Sequence, residues 1–362
     1  QRRDRQCHDT EGEVDGVDPG EQHPPTGTPR GIAVRFDHRR IVPRSLYGER
    51  ARSAHEQWAN RRRVRECVGV EELRWQVEDL RGDLERAIVA VAYRGLFDAS
   101  GAATAAVTWM ADRFDAAVVG DVDPESFFDF TQERPVVAFD DEGERRLHWP
   151  ANEVLLAHGG DAPRDLVLMS GIEPHLRWRT FAETLVEVVA HTGAESVVTM
   201  GAMAGMAPHT RPLGVVASST NLQLAERLGL GRPSYQGPTG LVGVLHDALD
   251  RADIPVISLR VSVPHYVPDA PNPKATRALL RRFEQVTGIE TGYAGLDDSA
   301  AEWQRHVEAA VNGDPEISEY VRRLESNADE SDEMLPSGDD LAAEFEAFLR
   351  EQDRPAGGAD PS

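Results

Sequence analysis

Six consecutive apolar residues at 88–93, Ile-Val-Ala-Val-Ala-Tyr, have the length and unbroken hydrophobicity of a strand covered on both faces. A short loop follows, then an Ala-rich stretch at 102–114 with helical character. The cycle repeats. Residues 166–169 read as a second buried strand, and Trp178, Phe181, Leu185, Val188 and Val189 place an apolar stripe on one face of the next helix. A third strand is expected at 196–200, a fourth at 213–217, and a short helix at 222–228 behind the N-cap residue Asn221. A helix at 241–251, a strand at 256–261 and a helix at 273–286 complete the series. Such alternation of strand and helix predicts an α/β domain: three layers, with a mostly parallel sheet covered by helices on both faces.

Two regions break this rhythm. Between 118 and 147 the apolar runs are short and come without helices, which predicts an antiparallel insertion containing 118–120 and 136–139. After Gly295 the strand pattern stops. Trp303, Val307 and Val311 mark one helix, and Ile317, Tyr320, Val321 and Leu324 mark another. An acidic linker at 329–333 then leads to Ser337-Gly338-Asp339-Asp340, the start of a helix carrying Leu341, Phe345, Phe348 and Leu349. The apolar stripes of this C-terminal helical subdomain are expected to pack on the α/β domain.

Composition narrows the functional classes. Apolar residues make up 40% of the 362, enough for a core, and 62 acidic against 39 basic residues leave a net charge of −23. So negative a surface repels phosphate backbones and anionic lipid, so neither nucleic acid nor membrane is expected as a partner. No apolar run reaches membrane-spanning length, and the cytoplasm is the expected compartment. Residues 1–67 stand apart: fourteen arginines outnumber eleven acidic residues, and hydrophobic periodicity is weak. That segment reads as a disordered or non-native leader, such as upstream sequence read through from a mis-set start. Both cysteines, Cys7 and Cys67, lie within it, leaving the α/β region without a thiolate nucleophile or cysteine metal site. Lys274 is the only lysine, so there is no P-loop; its place after Asn272-Pro273 predicts an exposed side chain in a first helical turn.

The polar loops after the strands hold the candidate chemistry. Gly95, Asp98, Ser100 and Gly101 join a strand's carboxyl end to a helix, where ligands bind in doubly wound sheets. Asp98 is expected foremost as a helix cap. Asp129 and Arg134, with Glu133 between them, suggest a local ion pair. Gly171, Glu173 and His175 put a carboxylate and an imidazole near a strand end, and capping of the following helix is the simpler role for Glu173. His209 and Arg211 lie in a stiff Pro-His-Thr-Arg-Pro loop, while His265 and Tyr266 end another strand. Gly237 and Thr239 precede a helix and offer open backbone N–H groups. If these loops share one cleft, Asp98, Glu173, His209, Arg211 and His265 surround it. Two histidines without a spaced third ligand make no metal site, no catalytic residue is assigned, and no cofactor fingerprint is present.

Taken in order, D-A-S-G, D-F-T-Q-E-R-P, S-G-I-E-P-H-L-R-W, P-H-T-R-P, G-P-T-G, V-P-H-Y and L-P-S-G-D-D-L-A-A-E-F resemble the proteasome assembly chaperone 2 family, closest to its actinobacterial-type branch, over roughly residues 70–350. The resemblance implies a nucleoside phosphorylase-like three-layer domain at 68–295, a helical subdomain at 296–350 and a disordered tail at 351–362. It also implies an ATP-independent protein-binding role, with proteasome-related subunits as partners. Relatives often end in a hydrophobic–Tyr–X tail, whereas this chain ends Gly358-Ala359-Asp360-Pro361-Ser362. Two other readings stand beside it: a small-molecule binder or hydrolase/phosphorylase-like enzyme using the strand-end cleft, and a structural homo-oligomer.

Overall fold

In the computed structural model the described residues are 71–77, 80, 83–140, 142–158, 164–268 and 271–333. The predicted leader 1–67, the helix expected from 337 and the tail 351–362 lie outside them.

The strands are β1 (Leu73–Trp75), β2 (Ile88–Arg94), β3 (Ala117–Val122), β4 (Val136–Phe139), β5 (Arg145–His148), β6 (Asn152–His158), β7 (Asp165–Ile172), β8 (Ser196–Gly205), β9 (Val215–Ser218) and β10 (Val256–Pro264). The α-helices are α1 (Ala102–Arg113), α2 (Trp178–Thr192), α3 (Leu222–Leu228), α4 (Leu241–Arg251), α5 (Pro273–Thr287), α6 (Asp297–Asn312) and α7 (Pro315–Glu333).

Eight strands form one sheet in the order β1-β3-β6-β7-β2-β8-β10-β9. β7, β2, β8 and β10 run parallel side by side, β3 shares their direction, and β1, β6 and β9 run opposite. The sheet is mixed but mostly parallel. β2 occupies its centre, and its side chains from Ile88 to Tyr93 are all buried, which explains an apolar run without alternation. Ile88, Ala90 and Ala92 face α1, α3 and α5, while Val89, Val91 and Tyr93 face α2 and α4. Helices therefore cover both faces.

The insertion departs from expectation. Residues 118–120 belong to β3 in the main sheet, where they pair with β6. Only β4 and β5 form the separate antiparallel ribbon, with Val137 opposite Leu147 and Phe139 opposite Arg145. The acidic stretch 329–333 is likewise no linker, because α7 continues through it to Glu333. Asn221 caps α3 as expected, accepting from the Leu224 N–H at 2.9 Å.

α6 and α7 form a third apolar cluster. Trp303, Val307, Val311, Ile317, Val321 and Leu324 bury against Tyr266 and Val267 from the loop after β10. Tyr266 and Val267 are thus the residues through which this cluster meets the sheet's carboxyl edge. Trp303 is 1% exposed. Trp303→Ala should cost about 3–5 kcal/mol of unfolding free energy in denaturant titration.

Candidate functional site

Because β7, β2, β8 and β10 are parallel, their carboxyl ends lie along one edge of the sheet. The loops singled out by sequence start from this edge or from a strand beside it, except the one with Gly237 and Thr239, which follows α3 and leads into α4. Their polar side chains divide into three sets, each engaged in bonds within the chain.

In the first set, Asp98 is 7% exposed and caps α1: Oδ1 accepts from the Ala103 N–H at 2.8 Å and Oδ2 from the Thr104 hydroxyl at 2.5 Å. Burial pushes its carboxyl pKa up, and these bonds oppose that rise. Ser100 and Gly101 both take left-handed backbone (φ 59° and 63°), and the Ser100 hydroxyl donates to the Pro268 carbonyl at 2.9 Å. Glu173 does not cap its own helix α2. Its Oε2 accepts from the Leu96 N–H at 2.9 Å and its Oε1 from the Leu241 N–H at 3.3 Å, at the start of α4. Gly95 makes room for this, since a Cβ there would sit 2.2 Å from Glu173 Oε2. The N–H groups expected to be open behind Gly237 and Thr239 are therefore answered in part by Glu173. Gly237 has φ 150° in an exposed turn, and Thr239 lies over the first turn of α4 against Gly243. Gly171 has a similar constraint: a Cβ would meet Asn152 Oδ1 at 1.7 Å, and Asn152 both accepts from the Ile172 N–H and donates to its carbonyl.

The second set lies beside it. Asp129 accepts from the Thr131 N–H and hydroxyl and from Gln132, which hold its carboxyl down at about 2. Its backbone N–H donates to His175 Nδ1 at 3.1 Å. The local ion pair expected among Asp129, Glu133 and Arg134 does not form: Glu133 pairs with Arg94 at 2.6 Å, and Arg134 is exposed without an ion pair among the described residues.

The third set clamps the helical subdomain. The Tyr266 hydroxyl accepts from the His209 backbone N–H at 2.9 Å and shares a hydrogen bond of 2.8 Å with His209 Nδ1. His209 Nε2 is buried without a hydrogen-bond partner. His209 is 1% exposed; burial, then the charge of Lys274, lowers its pKa to about 4. His265 Nδ1 donates to the Gly205 carbonyl, and its Nε2 accepts from the Tyr320 hydroxyl on α7. Arg211 grips Asp329 of α7 through two bonds of 2.7 Å, and Thr210 donates to Glu325. Lys274 is half-buried, contrary to the exposure expected for it. Its ammonium donates to the His209 carbonyl at 2.6 Å and to Gln304 of α6 at 2.8 Å, and burial lowers its pKa to about 8. First-turn position alone misled here, because α6 covers that turn.

The edge also exposes large apolar side chains. Leu96 and Met206 are each 72% exposed, Tyr235 is 70% exposed and Leu176 52%. Sequence reasoning passed over all four, since a single apolar residue in a loop carries no periodic signal. Among the described residues no group of three or more His, Cys, Asp or Glu is arranged to hold a metal ion, and no helix is long and apolar enough to cross a membrane.

The PAC2 family model matches residues 92–311. The chain belongs to the PAC2 family. A PAC2 family protein from Streptomyces avermitilis is 39% identical, with TM-score 0.61, over 65% of this chain and 99% of that one. A proteasome-assembly chaperone homologue from Mycobacterium tuberculosis is also 39% identical, with TM-score 0.59 and the same coverage. An archaeal proteasome activator from Pyrococcus furiosus shares the PAC2 fold at 18% identity and TM-score 0.51, covering 66% of this chain and 98% of that one. Among curated proteins none matches.

Two outcomes follow from this geometry. Glu173→Gln should cost about 1.5–3 kcal/mol in chemical denaturation, because two backbone donors lose a charged acceptor. His209 has a folded pKa of about 4 against an ordinary 6.5, so between those values the unfolded chain binds more protons. Its contribution to stability is present above pH 6.5 and fades as pH falls toward 4. His209→Asn should therefore flatten the pH dependence of stability in that window relative to wild type, measured by melts at pH 4.5 and 7.

Proposed function

We propose that this chain is a protein-binding, proteasome-assembly-chaperone-like factor whose client docks on the carboxyl edge of the sheet. One observation carries the reading. Asp98, Glu173, His209 and Arg211 of this edge are bonded within the chain, while Leu96, Leu176, Met206 and Tyr235 are left facing water. Catalytic sites hold their titratable groups ready for a substrate. Asp98, Glu173, His209 and His265 instead hold loops and helices together. Exposed large apolar groups on the loops of one edge suit protein contact.

The β4–β5 ribbon supports the same role. It leaves the sheet between β3 and β6, and Asn152 at the start of β6 bonds to Ile172 at the carboxyl end of β7, which places the ribbon at the same edge. Val136 and Phe139 on it are 58% and 71% exposed. A two-stranded ribbon with bare apolar side chains gains little stability alone and gains more against a partner. The relative named a proteasome-assembly chaperone homologue makes proteasome subunits the first clients to test.

The test uses purified proteasome α and β subunits from the source organism, with the full chain titrated against each by calorimetry. Binding by wild type and its loss of about 2 kcal/mol or more in a Leu96→Asp/Met206→Asp variant of unchanged melting temperature is the expected result. Wild-type binding unaffected by the double substitution would move the docking face elsewhere.

A further inference from the structure

On the face of the sheet that carries α2 and α4, the helices stop short of the β9 edge. Thr199 on β8 bonds to His246 of α4 at 2.9 Å, so α4 reaches that level. Two residues further along, Phe97 of the loop after β2 still covers Gly201, and beyond that residue the cover ends. Arg260 on β10 lies between Gly201 on β8 and Val216 on β9 in sheet register, and the next pair on the same face is Met203 with Ser262. Val216 is 58% and Met203 42% exposed, and Ser262 is exposed as well. A Cβ at Gly201 would meet the Phe97 carbonyl at 3.2 Å, the Phe97 Cβ at 3.7 Å and the Arg260 Cγ at 3.9 Å, so the Arg260 stem shares the space above this glycine with the loop after β2.

Arg260 is the unusual member of this shelf. It is half-buried, its Nε has no hydrogen-bond partner, and no carboxylate pairs with it. The other arginines lacking an ion pair or hydrogen bond among the described residues are exposed to water. A half-desolvated guanidinium without an anion costs free energy that an incoming carboxylate recovers. Arg232 adds a second unpaired positive charge in the exposed loop whose Gly231 bridges to Ser218 of β9. In a chain of net charge −23, an apolar shelf with two free arginines selects an acidic, amphipathic occupant.

Such a segment exists in this chain. Residues 337–350 carry Asp339, Asp340, Glu344 and Glu346 interleaved with Leu341, Phe345, Phe348 and Leu349. The last described helix brings the chain close: Arg211, five residues after Met206 at the end of β8, holds Asp329, and α7 ends at Glu333. Four helical residues advance about 6 Å. A further four or five extended residues span up to ~17 Å.

We propose that residues 337–350 dock intramolecularly on the Met203–Val216–Ser262 shelf, with their carboxylates on Arg260 and Arg232.

Hydrogen exchange on the full chain tests this. In wild type the amides of 341–349 should exchange about tenfold or more slower than in a Phe345→Asp/Phe348→Asp variant. Arg232→Glu and Met203→Asp, both at exposed positions, should remove that protection while the β2 amides stay protected. Arg260→Glu should do the same, and β2 protection reports whether it has folded. Protection that is absent in wild type, or that survives Arg232→Glu with Met203→Asp, overturns the proposal. Protection that grows with protein concentration places the segment on a second copy and overturns the intramolecular form. None of these measurements involves a client, so failure here leaves the docking reading untouched.

Discussion

The Glu173 carboxylate joins three chain segments that are remote in sequence: the loop after β7, the Leu96 N–H after β2 and the Leu241 N–H at the start of α4. The arrangement of the carboxyl edge depends on it. A parallel sheet brings its strand ends together but leaves free N–H groups on each departing loop and helix. One ionised side chain satisfies two of them at once. Its cost is space, which explains the absence of a side chain at Gly95. With the loops fixed at this height, Leu96 and Phe97 come against Gly240, and the Phe97 carbonyl accepts from the Ala202 N–H of β8 at 2.7 Å. The same carboxylate therefore sets which apolar groups stand at the edge and how firmly they are held.

A second clamp, built on the same principle, attaches the helical subdomain. Lys274, His209 and Tyr266 form a bonded unit at the start of α5, and Arg211 and His265 extend it to α7. Burial disfavours charge on both His209 and Lys274, so this junction is costly to assemble in protonated form. The apolar contacts of Trp303 with its neighbours offset that cost. A polar junction of this kind fixes one orientation of α6 and α7, which apolar packing alone specifies less sharply.

The fold was largely legible in the sequence because its signals are local and repeated. The unbroken run in β2, the stripe of α2 and the caps at Asp98 and Asn221 each declare themselves within a dozen residues. The site was legible as a list of residues but not as bonds. Glu173 was expected to cap its own helix, yet its acceptors face Leu96 and Leu241, 77 and 68 residues away. Glu133 turned from its neighbour Arg134 to Arg94 for the same reason. Lys274 looked exposed because nothing near it in sequence covers it, whereas α6 does. In every case the error is a nearby partner chosen where the fold supplied a distant one.

That pattern bears on how the edge is read chemically. Histidines and carboxylates gathered at strand ends invite an enzymatic interpretation, because such residues in such loops form active sites in many α/β proteins. Residue type cannot separate a reactive group from a structural one; the number of bonds each group has already made can. Asp98 answers two backbone donors and a hydroxyl, Glu173 two backbone donors, and His209 and His265 use their Nδ1 atoms on fixed partners. Reusing any of them for proton transfer would require breaking the contacts that shape the edge. Arg260 is the contrasting case: nothing in the fold uses its charge, and its strand neighbours leave it open to one side. Among the described residues, unspent binding capacity lies in bare apolar side chains and unpaired guanidinium groups, a combination suited to a peptide surface.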